Sequence, residues 1–124
     1  MKMIDTVLTI VISLSQQKLY AHTATGNVVS FPVSTGKEST PTPITEDKIA
    51  LKRKVTDFYG PGYYIKDVPY VMCLDKYPSH CIHPNLSSRP LGHPYSGGCI
   101  RMNDKDVQWV FERTPVNTPV KIVF

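Results

Sequence analysis

The run Ser96-Gly97-Gly98-Cys99-Ile100-Arg101-Met102 places a cysteine directly behind a glycine pair. Glycines let the backbone bend tightly and bring unshielded N–H groups beside the sulfur. Such groups can hold an oxyanion while a thiolate attacks a carbonyl. A thiol needs a base or a positive environment to act as a thiolate at neutral pH. Upstream, across a Pro/Gly/Ser-rich stretch, His83 is the candidate base. A neutral imidazole can take the thiol proton and later deliver it to a leaving amine. His83 follows the apolar Ile82 at a strand end, and Pro84 biases it toward extended backbone. The competing account of Cys99 is a small buried hydrophobe, the common fate of a free cysteine. That role has no need of two permissive residues directly before it.

Other residues compete for parts of this chemistry. His80 and His93 are alternative bases, with His93 expected to face solvent, and His22 reads as structural. Cys81, His83, His93 and Cys99 supply four potential zinc ligands, but their spacing matches no standard ribbon or finger. No metal or organic cofactor is expected. The three cysteines, Cys73, Cys81 and Cys99, allow at most one internal disulfide and leave a free thiol. Whether Cys73 and Cys81 pair depends on strand geometry that spacing alone does not give. The absence of a Cys-x-x-Cys pair counts against a thioredoxin-like redox site.

The elements that must position these groups read as mostly β. The chain of 124 residues carries 11 prolines and reads as one domain over 1–124, without internal repeats. Thr6 to Leu14 alternates, with Leu8, Ile10, Ile12 and Leu14 on one parity. Met1-Lys2-Met3 ahead of Val7 gives the N-terminus a signal-peptide flavour, but no small-x-small cleavage site follows. A first strand is the better reading, so a signal was either trimmed from this chain or is lacking. Ser15 to Gln17 turns, Lys18 to His22 returns, and Val29, Phe31 and Val33 form a third strand, with Pro32 at an edge or bulge. Lys48 to Lys52 is a further strand, and Phe58 to Tyr64, around Gly60-Pro61-Gly62, is an aromatic-rich loop. Pro69 to Leu74 and His80 to His83 are short strands. Asp104 to Arg113 is the one good helix, capped by Asn103, with Val107, Val110 and Phe111 on its apolar face. Val120, Ile122 and Phe124 close the chain as a last strand. The net charge of +4 is mild, and the densest basic run, Lys52-Arg53-Lys54, reads as a solvated strand end, so nucleic acid is not an expected partner. No apolar stretch is long enough to span a bilayer.

The chain resembles the YkuD-type L,D-transpeptidase catalytic domain. The match runs through Ile82-His83, then Leu91-Gly92, then Ser96 to Met102. Gln17-Lys18-Leu19-Tyr20, Phe31 to Gly36, Thr40-Pro41-Thr42-Pro43 and Pro69-Tyr70 are further landmarks. The resemblance implies a mostly β, sandwich-like domain with one short helix near the C-terminus. It implies acyl transfer on peptidoglycan stem peptides in the cell envelope, with Cys99 as nucleophile and His83 as base. The backbone N–H groups of Gly98 and Cys99 would form the oxyanion hole, and Ser96 and Arg101 would contact substrate. An internal salt bridge is the alternative for Arg101, and ordering of the loop through its hydroxyl is the alternative for Ser96. A monomer is expected. Two positions depart from the family pattern: Gly97 stands where many members have histidine, and Pro84 where glycine is common. A peptidoglycan-binding module with weak turnover, or a thiol hydrolase of another D-amino-acid or isopeptide bond, remain alternatives.

Overall fold

In the computed structural model, residues 4–60 and 62–124 are described. The readings placed on Met1 to Met3 and on Pro61 lie outside them. The elements are β1 (Val7–Ser13), β2 (Lys18–Thr23), β3 (Val28–Ser34), β4 (Thr45–Gly60), β5 (Tyr63–Leu74), β6 (Cys81–Pro84), β7 (Ile100–Met102), α1 (Asp104–Arg113) and β8 (Pro119–Val123). The strands pair in the order β1-β2-β3-β7-β6-β5-β4-β8 and close on themselves. β3 and β4 each belong to both sheets, so the two layers join into a ring. Two neighbours in the ring run parallel: β8 beside β1, and β6 beside β7.

Alternating apolar residues explain the core. Ile10, Ile12, Leu19, Val33, Ile49, Met72, Ile82, Ile100 and Ile122 are fully or almost fully buried in one cluster. Each such side chain contributes about 1.5–3 kcal/mol by leaving water. α1 adds Val107 and Val110 to the same cluster, with Phe111 half-buried beside them. Its start and end match the sequence reading. Asn103 holds the backbone angles of a cap, but its side chain makes no capping bond; its carbonyl instead accepts from Val107 N–H at 2.9 Å. Lys52, read as part of a solvated basic run, donates from Nζ to the Phe111 carbonyl at 2.6 Å, where a cation suits the helix C-terminus.

Three strand readings change. The register of β1 shifts between Val7 and Thr9. That irregularity turns Val7 inward and leaves Leu8 54% exposed, against simple alternation. Within the stretch read as a loop, residues 58–60 and 63–64 are instead the facing ends of β4 and β5, with Phe58 opposite Ile65 and Tyr59 opposite Tyr64. Stacking of Tyr59 on Tyr64, and a hydrogen bond from the Tyr64 hydroxyl to Asp57, supply cross-strand contacts that carry pairing out to the tip. Phe124 lies beyond β8 and is exposed, so only Val120 and Ile122 of the final strand face inward. Pro32 pairs with Lys18 of β2 just before the point where β7 joins β3 at Val33, so its missing N–H interrupts no second ladder.

Ile82 and Ile100 lie side by side on β6 and β7, one residue from His83 and Cys99 respectively, and both are fully buried. Ile82→Ala is expected to lower stability by about 2–5 kcal/mol, read from the urea midpoint at unchanged slope.

Candidate active site

The loop that carries Cys99 is irregular backbone held by the segment after β3. Ser96 N–H donates to the Thr35 carbonyl at 3.0 Å, and the Ser96 carbonyl accepts from Lys37 N–H at 3.0 Å and from the Thr40 hydroxyl at 3.1 Å. Thr42 Oγ1 accepts from Gly36 N–H at 2.9 Å and donates to the Gly98 carbonyl at 2.7 Å. Gly36 must be glycine, because an added Cβ would sit 2.0 Å from the Thr40 carbonyl oxygen. Gly98 is constrained twice. Its φ is +129°, and an added Cβ would meet the His80 ring at 2.9 Å. Gly97 is different: a Cβ there has nothing within 4 Å, so no crowding demands glycine where many family members carry histidine.

Ser96 is buried, and its hydroxyl accepts from Gly98 N–H at 3.1 Å and donates to the Cys99 carbonyl at 2.6 Å. That arrangement ties the loop together, and Ser96 also lines the cavity that holds Cys99. It also occupies one of the two N–H groups expected to hold an oxyanion. The other, Cys99 N–H, has no acceptor among the described residues.

Cys99 Sγ receives the Cys81 N–H at 3.4 Å and lies 3.5 Å from the Ser79 carbonyl, which can accept the thiol proton's hydrogen bond. Burial pushes the thiol pKa up, while the Cys81 N–H and the Arg101 charge pull it partly back. His83, on β6, is 4% exposed and stands edge-on to the Phe58 ring. Its Nδ1 is 2.7 Å from the Pro84 carbonyl. A carbonyl only accepts, so Nδ1 carries the proton and Nε2 keeps its lone pair. Burial, with a smaller push from Arg101 and against the Pro84 bond, lowers the His83 pKa from 6.5 to about 4. At neutral pH the pair therefore rests as thiol and neutral imidazole. Pro84, read as a constraint on the base, also supplies the acceptor that orients it.

Cys99 and His83 line one cavity of about 430 Å³, together with His80, Arg101 and the apolar walls Phe58 and Ile65. A second cavity of about 270 Å³ reaches Cys99 past Asp57, Tyr59 and Cys81. Arg101 sits opposite His83 in the β6–β7 register, with its guanidinium 5.3 Å from the Tyr95 ring centroid. Its buried Nε has no hydrogen-bond partner. The one ion pair among the described residues is Lys121–Glu46, so Arg101 has no internal carboxylate partner there. Of the rival bases, His80 lines the cavity, whereas His93 is exposed in its loop and His22 is exposed on β2.

Cys73 and Cys81 face each other across β5 and β6 and are joined by a disulfide, which leaves Cys99 as the free thiol. The bond removes Cys81 from the four-ligand zinc set. The supporting roles of Thr35, Thr40 and Thr42, and of the Cys81 N–H, were not read from sequence. Thr40-Pro41-Thr42-Pro43 stood out as a family landmark, but nothing in its composition said that it holds the loop.

The closed β ring is that of a known class of catalytic domain. Residues 8–122 match the L,D-transpeptidase catalytic domain, YkuD, and the chain belongs to that family. The chain is similar in fold to an L,D-transpeptidase of Mycobacterium tuberculosis H37Rv, at 21% identity and a TM-score of 0.86, covering 95% of this chain and 58% of that one. It is similar to LdtMt1, solved in complex with imipenem, at 23% identity and 0.83, covering 96% and 59%. It is also similar to an L,D-transpeptidase of Enterococcus faecium, at 22% identity and 0.83, covering 96% and 50%. The chain thus spans less than two thirds of the length of these solved structures. No curated protein sequence gives a significant match. Among the described residues, no helix is long and apolar enough to cross a membrane.

The His83 environment sets a pH dependence of stability. Between pH 6.5 and about 4 the unfolded imidazole binds a proton that the buried one refuses. The unfolded state then holds more protons, so stability is full above pH 6.5 and falls as pH drops through that window, by about 3 kcal/mol in all. Urea unfolding from pH 7 to pH 4 is expected to show this slope, and His83→Gln to remove it.

Proposed function

We propose that this domain is a cysteine-dependent acyltransferase acting on peptidoglycan stem peptides at the cell envelope. The observation that carries the reading is a single free thiol and a tautomer-fixed imidazole lining one cavity, on a chain of this family. Arrival of substrate excludes water, and the Cys99 proton passes to His83 Nε2 as Sγ attacks the carbonyl between the third stem residue and the terminal D-alanine. The Cys99 N–H, without an acceptor among the described residues, holds the developing oxyanion. Collapse of the tetrahedral species breaks the C–N bond. The proton on His83 goes to the departing amine, and a thioester to Cys99 remains. An amine of a neighbouring stem, a free D-amino acid or water then attacks the thioester, and His83 again moves the proton.

Both openings onto Cys99 serve this sequence, because the acyl group occupies one side of the sulfur while the second molecule approaches from the other. Ser96 acts by holding the loop. Arg101, cationic and without a carboxylate partner among the described residues, binds a carboxylate of the stem. The domain works without an organic cofactor or metal and as a monomer.

The test is incubation with a tetrapeptide stem and a labelled D-amino acid, followed by assay of released D-alanine and exchanged product. Wild type is expected to release D-alanine, Cys99→Ala to release none, and His83→Ala to be slower by about 10²–10⁴-fold. Release that survives Cys99→Ala would contradict the proposal. Exchanged or cross-linked product marks transfer, and tripeptide alone marks hydrolysis. Imipenem, bound in the LdtMt1 structure, is the second probe for acylation of Cys99. Arg101→Gln is expected to raise KM for the stem about tenfold and leave kcat nearly unchanged, because its contact is present before and during reaction.

A further inference from the structure

The disulfide Cys73–Cys81 is not needed for the acyl-transfer chemistry, yet it lies against the reacting sulfur. Cys81 opens β6, and its N–H points away from the β5 ladder to Cys99 Sγ at 3.4 Å. β5 and β6 share only two register pairs, Met72 with Ile82 and Cys73 with Cys81. One backbone hydrogen bond lies beyond this pair, from the Leu74 N–H to the His80 carbonyl at 3.1 Å, and the disulfide to Cys73 adds a covalent clamp at Cys81 itself. Around it is a small apolar cluster separate from the main core: Val68, Val71, Cys73 and Cys81, with Phe58, Ile65 and Cys99 packed on it. The loop that the bond closes is short, with a sequence separation of 8, so chain entropy gives it the smaller end of the usual stabilisation. Its position beside the nucleophile distinguishes it more than its crosslinking does.

We propose that the Cys73–Cys81 disulfide is a positioning element for the nucleophile: it fixes the first residue of β6 so that the Cys81 N–H stays on Cys99 Sγ, and reduction of the bond lowers the reactivity of that thiol. The inference rests on Cys99 being the nucleophile. A hydrogen bond to a thiolate stabilises the charged form, and burial of Cys99 makes that donor count for more. The disulfide is within reach of a reductant, because Cys81 lines the second cavity together with Cys99. A dithiol supplies two electrons and two protons. The S–S bond breaks to two thiols, and the reductant leaves as its own disulfide. The other titratable or charged groups facing Cys99 are Asp57 and Tyr59 from β4, Tyr63 from β5, His80 from the turn before β6, His83 from β6 and Arg101 from β7. None of them is covalently altered by reduction; the Cys73 and Cys81 thiols are the groups it adds, and Cys73→Ser/Cys81→Ser, which lacks them, isolates the Cys81 donor.

The test is the pH profile of Cys99 alkylation by iodoacetamide, read by peptide mapping so that only Cys99 is counted. Three samples are compared: oxidised protein, protein reduced by dithiothreitol and desalted, and Cys73→Ser/Cys81→Ser. Near-ultraviolet circular dichroism checks the fold of each. Reduction and the double variant are expected to move the alkylation midpoint up by about one pH unit, which lowers the rate near neutrality about tenfold. An unchanged midpoint in folded protein would overturn the proposal. Loss of the fold in both reduced protein and variant would overturn it too, by making the bond a general stabiliser. Alkylation at Cys73 instead of Cys99 in oxidised protein would contradict it by showing disulfide exchange. The readout does not depend on turnover, so a shifted midpoint in a protein that never releases D-alanine would sink the acyltransferase reading alone.

Discussion

Ser96 is gripped on both sides of its peptide backbone, by the Thr35 carbonyl on one and by Lys37 N–H and the Thr40 hydroxyl on the other. The chain between β6 and β7 has no ladder of its own to hold it. These bonds attach its Ser96 end to the β ring, while the Gly92 N–H on the Val33 carbonyl and the Ser34 hydroxyl on the His93 carbonyl attach its earlier part. From Ser96 the constraint passes through its hydroxyl to Gly98 and Cys99, and Thr42 holds the Gly98 carbonyl from below. Gly36 and Gly98 are glycines because backbone and imidazole occupy the space of a side chain. The position of the sulfur follows from these contacts, since Cys99 leads directly into β7 beside β6 and its histidine.

The electrostatics suit a site that is quiet at rest. Burial disfavours both a thiolate and an imidazolium, so the pair stays neutral until substrate arrives. The Pro84 carbonyl fixes the proton on Nδ1 and leaves Nε2 as acceptor. Arg101 lowers the pKa of both groups, favouring the thiolate and opposing the imidazolium, and its own charge has no carboxylate partner among the described residues. The two effects of this cation on the pair oppose one another.

What was legible in the sequence was local or carried by a motif. The helix from Asp104 to Arg113 could be placed because its acidic first turn and the spacing of Val107 and Val110 lie within a few residues. Cys99 and His83 stood out through the glycine pair and the family pattern. The readings that changed depend on contacts between distant segments. Phe58 to Tyr64 looked like a loop because Gly60-Pro61-Gly62 dominates its composition, whereas cross-strand pairing of Tyr59 with Tyr64 needs the register of β4 and β5. Spacing left the Cys73–Cys81 bond open; facing positions on adjacent strands decide it. Leu8 faces out because a register shift at Val7 to Thr9 breaks the alternation that the letters suggest. The inward-turned Ser96 hydroxyl and the orienting role of the Pro84 carbonyl are likewise properties of folded backbone.

The central claim is that Cys99 takes the acyl group of the stem. Intact-mass analysis of protein quenched in acid during turnover of a tetrapeptide stem tests it directly. The account predicts a species heavier by the stem less its D-alanine, mapped to the Cys99 peptide and released by hydroxylamine as a thioester. Full turnover with no such species, or with the added mass on another residue, would contradict it.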